Sequence, residues 1–205
     1  MLGRKSETVI NALVLRLDDE NSDVLANAAN ALRKLGKNSE TVVNALVLRL
    51  DDENPNVRRN AANALGELRE KSETVINALV LRLDDENSDV HGNAANALGM
   101  LGKNSETVIN ALLLRLDDEH SDVRGNAIDA LGKLGENSET VINSLVLRLD
   151  DEHSDVRRHA ANALSKLCKN NSNFLTTIIA WIQQHQDSDY IGSGIDTLWD
   201  FLAVE

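Results

Sequence analysis

The residues that could do chemistry in this chain are few and poorly grouped. Two of the five histidines follow a glutamate at equivalent places, in Glu119-His120 and Glu152-His153. Such pairs can hold a metal, but these two lie 33 residues apart, and one metal needs all its ligands at bonds of about 2 Å. Cys168 is the single cysteine and has no base within sequence reach, and no glycine-rich phosphate loop is present. We therefore predict no catalytic residue, no metal site and no cofactor.

The elements that must position any functional side chain come from a 33-residue repeat. Near-identical segments open at that fixed spacing with Ser6, Ser39, Ser72, Ser105 and Ser138. A period of this size is typical of a solenoid, in which each unit packs only on its neighbours. We predict an all-α fold, a right-handed α-solenoid of stacked antiparallel helix pairs. The predicted divisions are the tail of a truncated preceding repeat at 1–5, five repeats at 6–38, 39–71, 72–104, 105–137 and 138–171, and a degenerate C-terminal capping repeat at 172–205.

Each repeat has the pattern of two helices joined by a polar turn. In the first copy Ser6 is a suitable N-cap for helix A, over about Glu7–Leu17, where apolar residues recur at helical spacing. Helix B follows the turn and runs to about Leu35, and Ser22 or Asp23 can cap it. Two such helices cannot bury their apolar stripes alone, so the pattern requires stacking of one repeat on the next.

Glycine follows the core leucine of helix B in three successive copies, at Gly66, Gly99 and Gly132. A glycine inside a helix costs roughly 1 kcal/mol relative to alanine. Its recurrence predicts that the backbone of a neighbouring helix approaches closely at this position.

The composition restricts the possible partners. The chain of 205 residues has a net charge of −12, which argues against general affinity for nucleic acid or anionic membranes. No apolar run approaches the roughly 20 residues of a membrane span, and the N-terminus lacks the apolar core of a secretory signal. A single cysteine fits a reducing compartment. We expect a cytoplasmic protein whose partners are proteins or peptides.

The copies differ mainly in helix B, at positions off its core stripe. Arginines make this face locally basic, so the expected partner is a protein or peptide, and an acidic one would suit the face. We predict that helix B lines a concave binding face; neutral drift of a solvated face is the alternative. The candidate partner-binding residues are Arg58, Arg59, His91, Arg124, Arg157, Arg158, Asn63, Asn96 and Asp129.

A row of leucines projects opposite the core stripe of helix A, on the expected convex face. Packing between adjacent A helices explains the row in one interpretation, and self-association or contact with a partner explains it in the other. The row consists of Leu15, Leu48, Leu81, Leu114 and Leu147.

All five aromatic residues lie in the last segment of the chain. A divergent terminal repeat that caps the array is the expected interpretation, and an aromatic contact patch is the alternative. These residues are Phe174, Trp181, Tyr190, Trp199 and Phe201.

The helix B segments resemble a known family. VRRNAANALGEL (57–68), VRGNAIDALGKLG (123–135) and VRRHAANALSKL (156–167) are similar to the V-R-x-x-A-A-x-A-L-G pattern of HEAT-type repeats of the phycobilisome-lyase-like group. The resemblance implies that the arginine after valine braces the turn within its own repeat through an acidic residue, with Asp51 and Asp52 as candidates for Arg58. Leu25 and His91 replace this arginine, so looser turns are expected in the first and third copies.

The resemblance also suggests functions. The final segment looks like the C-terminal end of HEAT arrays attached to bacterial, especially cyanobacterial, NACHT-type NTPases. The resemblance thus implies a non-catalytic protein-interaction scaffold, such as the sensor array of a NACHT-type protein. A phycobilin lyase or lyase chaperone and a homotypic assembly module are the alternatives.

Overall fold

Helices form the regular structure of the chain. The computed structural model describes residues 2–19, 21–34, 40–168, 172–187, 189–192 and 195, among which there is no β-strand. The chain divides into two units, Met1–Leu101 and Gly102–Glu205. The first unit contains α1 Leu2–Leu15, α2 Ser22–Lys34, α3 Glu40–Arg49, α4 Pro55–Leu68, α5 Glu73–Leu81 and α6 Ser88–Leu101. The second unit contains α7 Glu106–Leu114, α8 Ser121–Leu134, α9 Glu139–Leu147, α10 Ser154–Cys168 and α11 Ser172–Gln184.

The helices of each unit are arranged in two layers. In the first unit the B helices α2, α4 and α6 pack in sequence, and the A helices α1, α3 and α5 form the other layer. In the second unit α8 packs on α10, and α9 contacts α11. The prediction of an all-α solenoid of stacked helix pairs is thereby confirmed.

Apolar residues at helical spacing build the core between the layers. Leu46 and Leu79 of the A helices and Leu65 and Leu98 of the B helices are fully buried. Val42 is also fully buried, whereas its equivalent Val9 is 48% exposed. Val42 lies on α3, against which α1 packs.

The first helix starts earlier than the sequence predicts. α1 runs without a break from Leu2 to Leu15, so Ser6 lies inside the helix and does not cap it. Residues 2–5 therefore continue into helix A, and the division of the chain into repeats stays a prediction. The serine does stand at the N-cap of later A helices, where the Ser105 side chain accepts a hydrogen bond from the amide of Val108 at 3.4 Å.

Asparagine caps helix B in the first unit. The Oδ1 of Asn54 accepts a hydrogen bond from the amide of Asn56 at 3.0 Å, and the Oδ1 of Asn21 accepts one from the amide of Asp23 at 2.9 Å. The prediction that Ser22 or Asp23 caps α2 is therefore wrong. The N-cap is Asn21, one residue before Ser22. Its side-chain oxygen reaches the unpaired amide of the residue two positions further on, as an N-cap asparagine does.

The predicted close approach at the helix B glycines is confirmed for two of them. A Cβ on Gly66 would lie 2.8 Å from the Cα of Ala97 on α6, and a Cβ on Gly132 would lie 3.1 Å from the Cβ of Ala163 on α10. At Gly66 the obstacle is backbone, which cannot move aside as a flexible side chain can. These contacts let the B helices pack at short range.

The end of α4 carries backbone strain that can be removed. Arg69 has φ 55°, in the left-handed region, where Gly102 and Gly135 end other B helices with φ 62° and 73°. Replacing Arg69→Gly is expected to raise the free energy of unfolding by about 1 kcal/mol, because glycine adopts this conformation without a Cβ clash. Urea unfolding measures the change, and Gly135→Ala serves as the reverse control with a loss of similar size. An unchanged or lower stability of the Arg69→Gly protein would refute the assignment of strain.

No helix in the described part of the chain is long and apolar enough to cross a membrane.

Candidate interaction surfaces

A buried arginine joins two successive turns in the first unit. Arg58 is 5% exposed, and its Nη1 donates hydrogen bonds to the backbone oxygens of Asp52 and Glu53 at 2.8 and 3.1 Å. Its Nε and Nη2 donate to the two carboxylate oxygens of Asp85 at 2.8 and 2.7 Å. The guanidinium thus braces its own turn and binds the turn of the next repeat in a bidentate pair.

The second unit repeats this arrangement. Arg124, 6% exposed, donates from Nη1 to the backbone oxygens of Asp118 and Glu119 at 2.8 and 3.1 Å. Its Nε and Nη2 each lie 2.9 Å from a carboxylate oxygen of Asp151. One interaction therefore occurs independently in both units.

These contacts correct two sequence predictions. Arg58 and Arg124 do not offer their charges to a partner, because both side chains are buried and fully engaged. The acidic side chain that binds Arg58 is also not Asp51 or Asp52 of its own repeat but Asp85, 27 residues further on. Bracing within the repeat is real but uses backbone carbonyls.

Burial and hydrogen bonding act against each other at Asp85. Burial penalises the charged carboxylate, but the hydrogen bond from Arg58, the amide of Asn87 and the charges of Arg58 and Arg82 outweigh it. The pKa of Asp85 is therefore lowered, and the hydrogen bond to Asp85 raises the pKa of Arg58 against the effect of its burial. Asp151 follows the same rule beside Arg124, with a lowered pKa. Both carboxylates are held in the charged form.

The first copy lacks this bridge. Leu25 occupies the position of the arginine and is fully buried. The side chain of Asp52, which corresponds to Asp85, is 26% exposed, and the Nη1 of Arg49 lies 3.6 Å from it. The looser turns expected at Leu25 and His91 stay a prediction.

Three further arginines bind the turns between helix A and helix B. Arg82 donates from Nη1 to the backbone oxygen of Leu50 at 2.9 Å, and Arg148 donates to that of Leu116 at 2.9 Å, so each ties its turn to the preceding repeat. Arg157 braces its own turn by donating to the backbone oxygen of Asp151 at 2.7 Å. Its guanidinium carbon also lies 4.0 Å from the ring centroid of Tyr190, a cation–π contact in place of a carboxylate.

The helix B face is less basic than the sequence predicts. With Arg58 and Arg124 buried, two of its other arginines lie close to carboxylates: Arg59 is 3.7 Å from Asp89, and Arg158 is 3.0 Å from Asp155. His91 is half-buried on α6. In the first unit the polar groups of this face include the side-chain amides of Asn63 and Asn96, which are half-buried at equivalent places on α4 and α6.

One inter-repeat pair on the helix B face of the second unit was not anticipated. Asp129 and the Nδ1 of His159 lie 2.8 Å apart, and a Cβ on Gly125 would lie 3.2 Å from the imidazole. The sequence carried a signal for this pair. Asp129 occupies a position where the other four copies have asparagine. His159 occupies a second position, three residues earlier in the repeat, where the other four copies also have asparagine.

The leucine row of helix A lies at the surface. Its five side chains are between 60% and 68% exposed. Packing between adjacent A helices therefore does not explain the row, because such packing would bury the side chains. The row comprises Leu15, Leu48 and Leu81 in the first unit and Leu114 and Leu147 in the second.

The C-terminal aromatics have separate environments where they are described. Trp181 is 3% exposed and stacks on His185 with 4.5 Å between ring centroids, while Tyr190 is half-buried beneath Arg157. An open groove of about 420 Å³ runs between α9 and α11 beside Leu147 and Trp181. The side chain of Phe174, and Trp199 and Phe201, lie outside the described residues.

The histidine–glutamate pairs do not form a common site. The Nη2 of Arg124 lies 3.1 Å from the Nδ1 of His153, and a cation at this distance competes with any metal for the ring nitrogen. His120 has its Nδ1 3.4 Å from Asp118 of its own turn. Within the described ranges no group of three or more histidine, cysteine, aspartate and glutamate residues could hold a metal ion.

Comparison with solved structures places the fold among α-solenoids. The karyopherin Kap121p bound to the extreme C-terminus of the protein phosphatase Cdc14p is similar with a TM-score of 0.72 and 17% identity, over 97% of this chain and 23% of that one. Yeast importin-β, Kap95p, gives 0.68 and 14%, over 95% and 30%. A designed armadillo repeat protein in complex with the peptide (KR)4 gives 0.60 and 18%, over 91% and 98%.

The sequence itself identifies the family. None of the curated proteins compared with the chain matches it at a significant level. The model of the family described as HEAT repeats matches in overlapping stretches, at residues 10–98, 43–120, 76–165 and 109–190. These matches together extend from residue 10 to residue 190, most of the chain. The chain therefore belongs to the HEAT repeat family.

Proposed function

We propose that this protein is a non-catalytic scaffold that binds an extended segment of a protein or peptide on the helix B faces of its units. The observation that carries the proposal is the contrast between the solvent-accessible positions of the two helices on one constant core. The exposed glutamate, threonine, asparagine and leucine positions of helix A are identical in all five copies, whereas one helix B position that is exposed or half-buried in every copy has Lys34, Glu67, Met100, Lys133 and Lys166. A surface that differs from copy to copy can match a partner whose sequence is not repetitive.

The amides of the first unit suit such a partner. Asn63 and Asn96 recur one repeat apart on α4 and α6. A side-chain amide both donates and accepts hydrogen bonds, so it can pair with the main chain of an extended segment whatever its side chains. The expectation of an acidic partner is weakened, because two of the arginines on which that expectation was based, Arg58 and Arg124, are buried.

Similar folds bind such segments, which supports the proposal by analogy. One designed armadillo neighbour is in complex with the peptide (KR)4, and Kap121p is bound to a protein C-terminus. Attachment to a NACHT-type protein and a cytoplasmic location remain the wider setting that we propose from the sequence resemblance. Among the described residues, none specifically supports a role as bilin lyase.

The test is selection from a random library of linear peptides followed by measurement of affinity. We expect Asn63→Ala with Asn96→Ala to weaken the best selected peptide about tenfold or more, because each lost hydrogen bond costs about 0.5–1.5 kcal/mol. Asn44→Ala with Asn77→Ala is the matched control, since these asparagines lie exposed on helix A. Fluorescence anisotropy gives the dissociation constants. Equal effects of the two double variants, or no selected peptide at all, would contradict the proposal.

A further inference from the structure

We propose that the helix A face is a self-association surface, on which a second copy of this chain packs its own helix A face. This inference does not rest on peptide binding by helix B. It starts from the exposed stripe of helix A, which in the second copy is Thr41, Asn44 and Leu48, with Glu40 at its N-terminal end. In every copy the corresponding four residues are exposed and chemically identical.

Core packing does not account for the uniform stripe. Buried positions are constrained by their neighbours, but the leucines of the stripe are at least 60% exposed, and surface substitutions usually change stability by less than about 0.5 kcal/mol. The residue before helix B shows that exposed positions in this chain do diverge, as at Asn54, His120 and His153. A constraint other than core packing therefore keeps the exposed residues of helix A identical.

The uniformity indicates what kind of partner meets the stripe. A partner of irregular sequence can complement one or two helices and gives no reason for the others to stay identical. A partner with the same repeat can use equivalent residues on each helix of a unit. Another copy of this chain carries that repeat, with the same leucine row.

Charge is distributed in a way that permits this contact. Thr41, Asn44 and Leu48 are neutral, while Glu40 precedes them and the exposed Asp51 follows the end of α3. A helix of this length spans roughly 15 Å, so the acidic groups lie at the two ends of the stripe. When two stripes meet, the leucines are buried in the middle. Asp51 pairs with Arg82 at 3.1 Å, so the remaining repulsion comes from Glu40 and from the net charge of −12 on each chain. Salt screens that repulsion, so association should strengthen as ionic strength rises.

The size of the surface sets the strength to expect. Three A helices at roughly 10 Å spacing and roughly 15 Å length give the first unit about 450 Å². A stable interface takes about 800 Å² from each partner. The stripe of one unit therefore supports a weak contact that appears only at high protein concentration.

Sedimentation equilibrium of the full chain from micromolar to near-millimolar concentration, at about 0.05 M and about 0.5 M salt, tests the proposal. We expect the average mass to rise from the 22.4 kDa of one chain toward twice that value, and to rise more at high salt. Leu48→Asn with Leu81→Asn should raise the dissociation constant about tenfold or more. Ile179→Asn, which changes an exposed apolar residue outside the row, should leave it unchanged.

Three outcomes would overturn the inference: a monomer at every concentration, a dimer that persists in the double leucine variant, or a dimer that salt weakens. The last would indicate a contact between opposite charges. Thermal melting of the variants checks that they remain folded, and the affinity of the selected peptide should be the same in the leucine variant. Loss of peptide binding and loss of self-association are thus separate results.

Discussion

Asp85→Asn is expected to lower the free energy of unfolding by about 3–5 kcal/mol at neutral pH, the cost of leaving one member of a buried ion pair without its partner. Arg58 is 5% exposed and donates two of its hydrogen bonds to this carboxylate. The substitution leaves this buried cation with only the exposed Glu86 as a countercharge, 3.4 Å from its Nη2. Asparagine keeps the shape and the oxygen that accepts from the amide of Asn87. Denaturant unfolding measures the loss.

Asp52→Asn is the matched control within the same unit. Asp52 occupies the corresponding place in the preceding turn and likewise accepts from an amide two residues on. Its side chain is 26% exposed, however, and Leu25 stands where an arginine would reach it. We expect a loss under about 1 kcal/mol. Equal losses from the two substitutions would show that the arginine bridge contributes nothing.

The same pair predicts a pH dependence. The pKa of Asp85 is lowered in the folded chain, so the stability it contributes is fully present above the unfolded value of about 3.9 and is lost as the pH falls through the folded pKa. The difference between the wild-type chain and the Asp85→Asn variant should therefore shrink below about pH 4. A difference that stays constant to lower pH would mean that the charge of Asp85 is not what stabilises the turn.

Gly66→Leu is expected to lower the free energy of unfolding by about 2–3 kcal/mol and the melting temperature by about 5–10 °C. The first atom of any side chain on Gly66 would lie 2.8 Å from the Cα of Ala97, so α4 and α6 would have to separate. The higher helix propensity of leucine offsets under about 1 kcal/mol of this cost.

Gly192→Leu is the control for this substitution, because a Cβ on Gly192 would meet nothing within 4 Å. Differential scanning calorimetry compares the two variants. A Gly66→Leu protein as stable as the control would mean that α4 and α6 do not pack through the glycine. The equivalent change at Gly99 is expected to act in the same direction.

The sequence predicts the layers of this fold because each repeat carries its own helix signals. The sequence does not predict which carboxylate Arg58 binds, because equivalent residues of successive repeats have the same neighbours along the chain. Asp52 and Asp85 have the same local sequence, and only their three-dimensional positions distinguish the turn of the same repeat from the turn of the next. The burial of Arg58 follows from that second partner, so the basic character of the helix B face was overestimated.

The leucine row shows a different limit. A helical wheel shows that Leu48 and Leu81 point away from the core stripe, but it does not show whether a neighbouring helix in the same layer covers them. Their exposure depends on the packing of α3 and α5, which only the assembled layer determines. The Asp129–His159 pair, by contrast, could have been inferred from two coincident departures in adjacent copies.

The most direct test of helix B as the binding face is the nuclear magnetic resonance spectrum of the side-chain amides, recorded with and without a peptide selected from the random library. Each asparagine side chain gives its own pair of signals, and a hydrogen bond to a bound segment moves them. We expect the signals of Asn63 and Asn96 on helix B to shift, while those of Asn44 and Asn77 on helix A stay in place. Shifts at Asn44 and Asn77 alone would contradict the account.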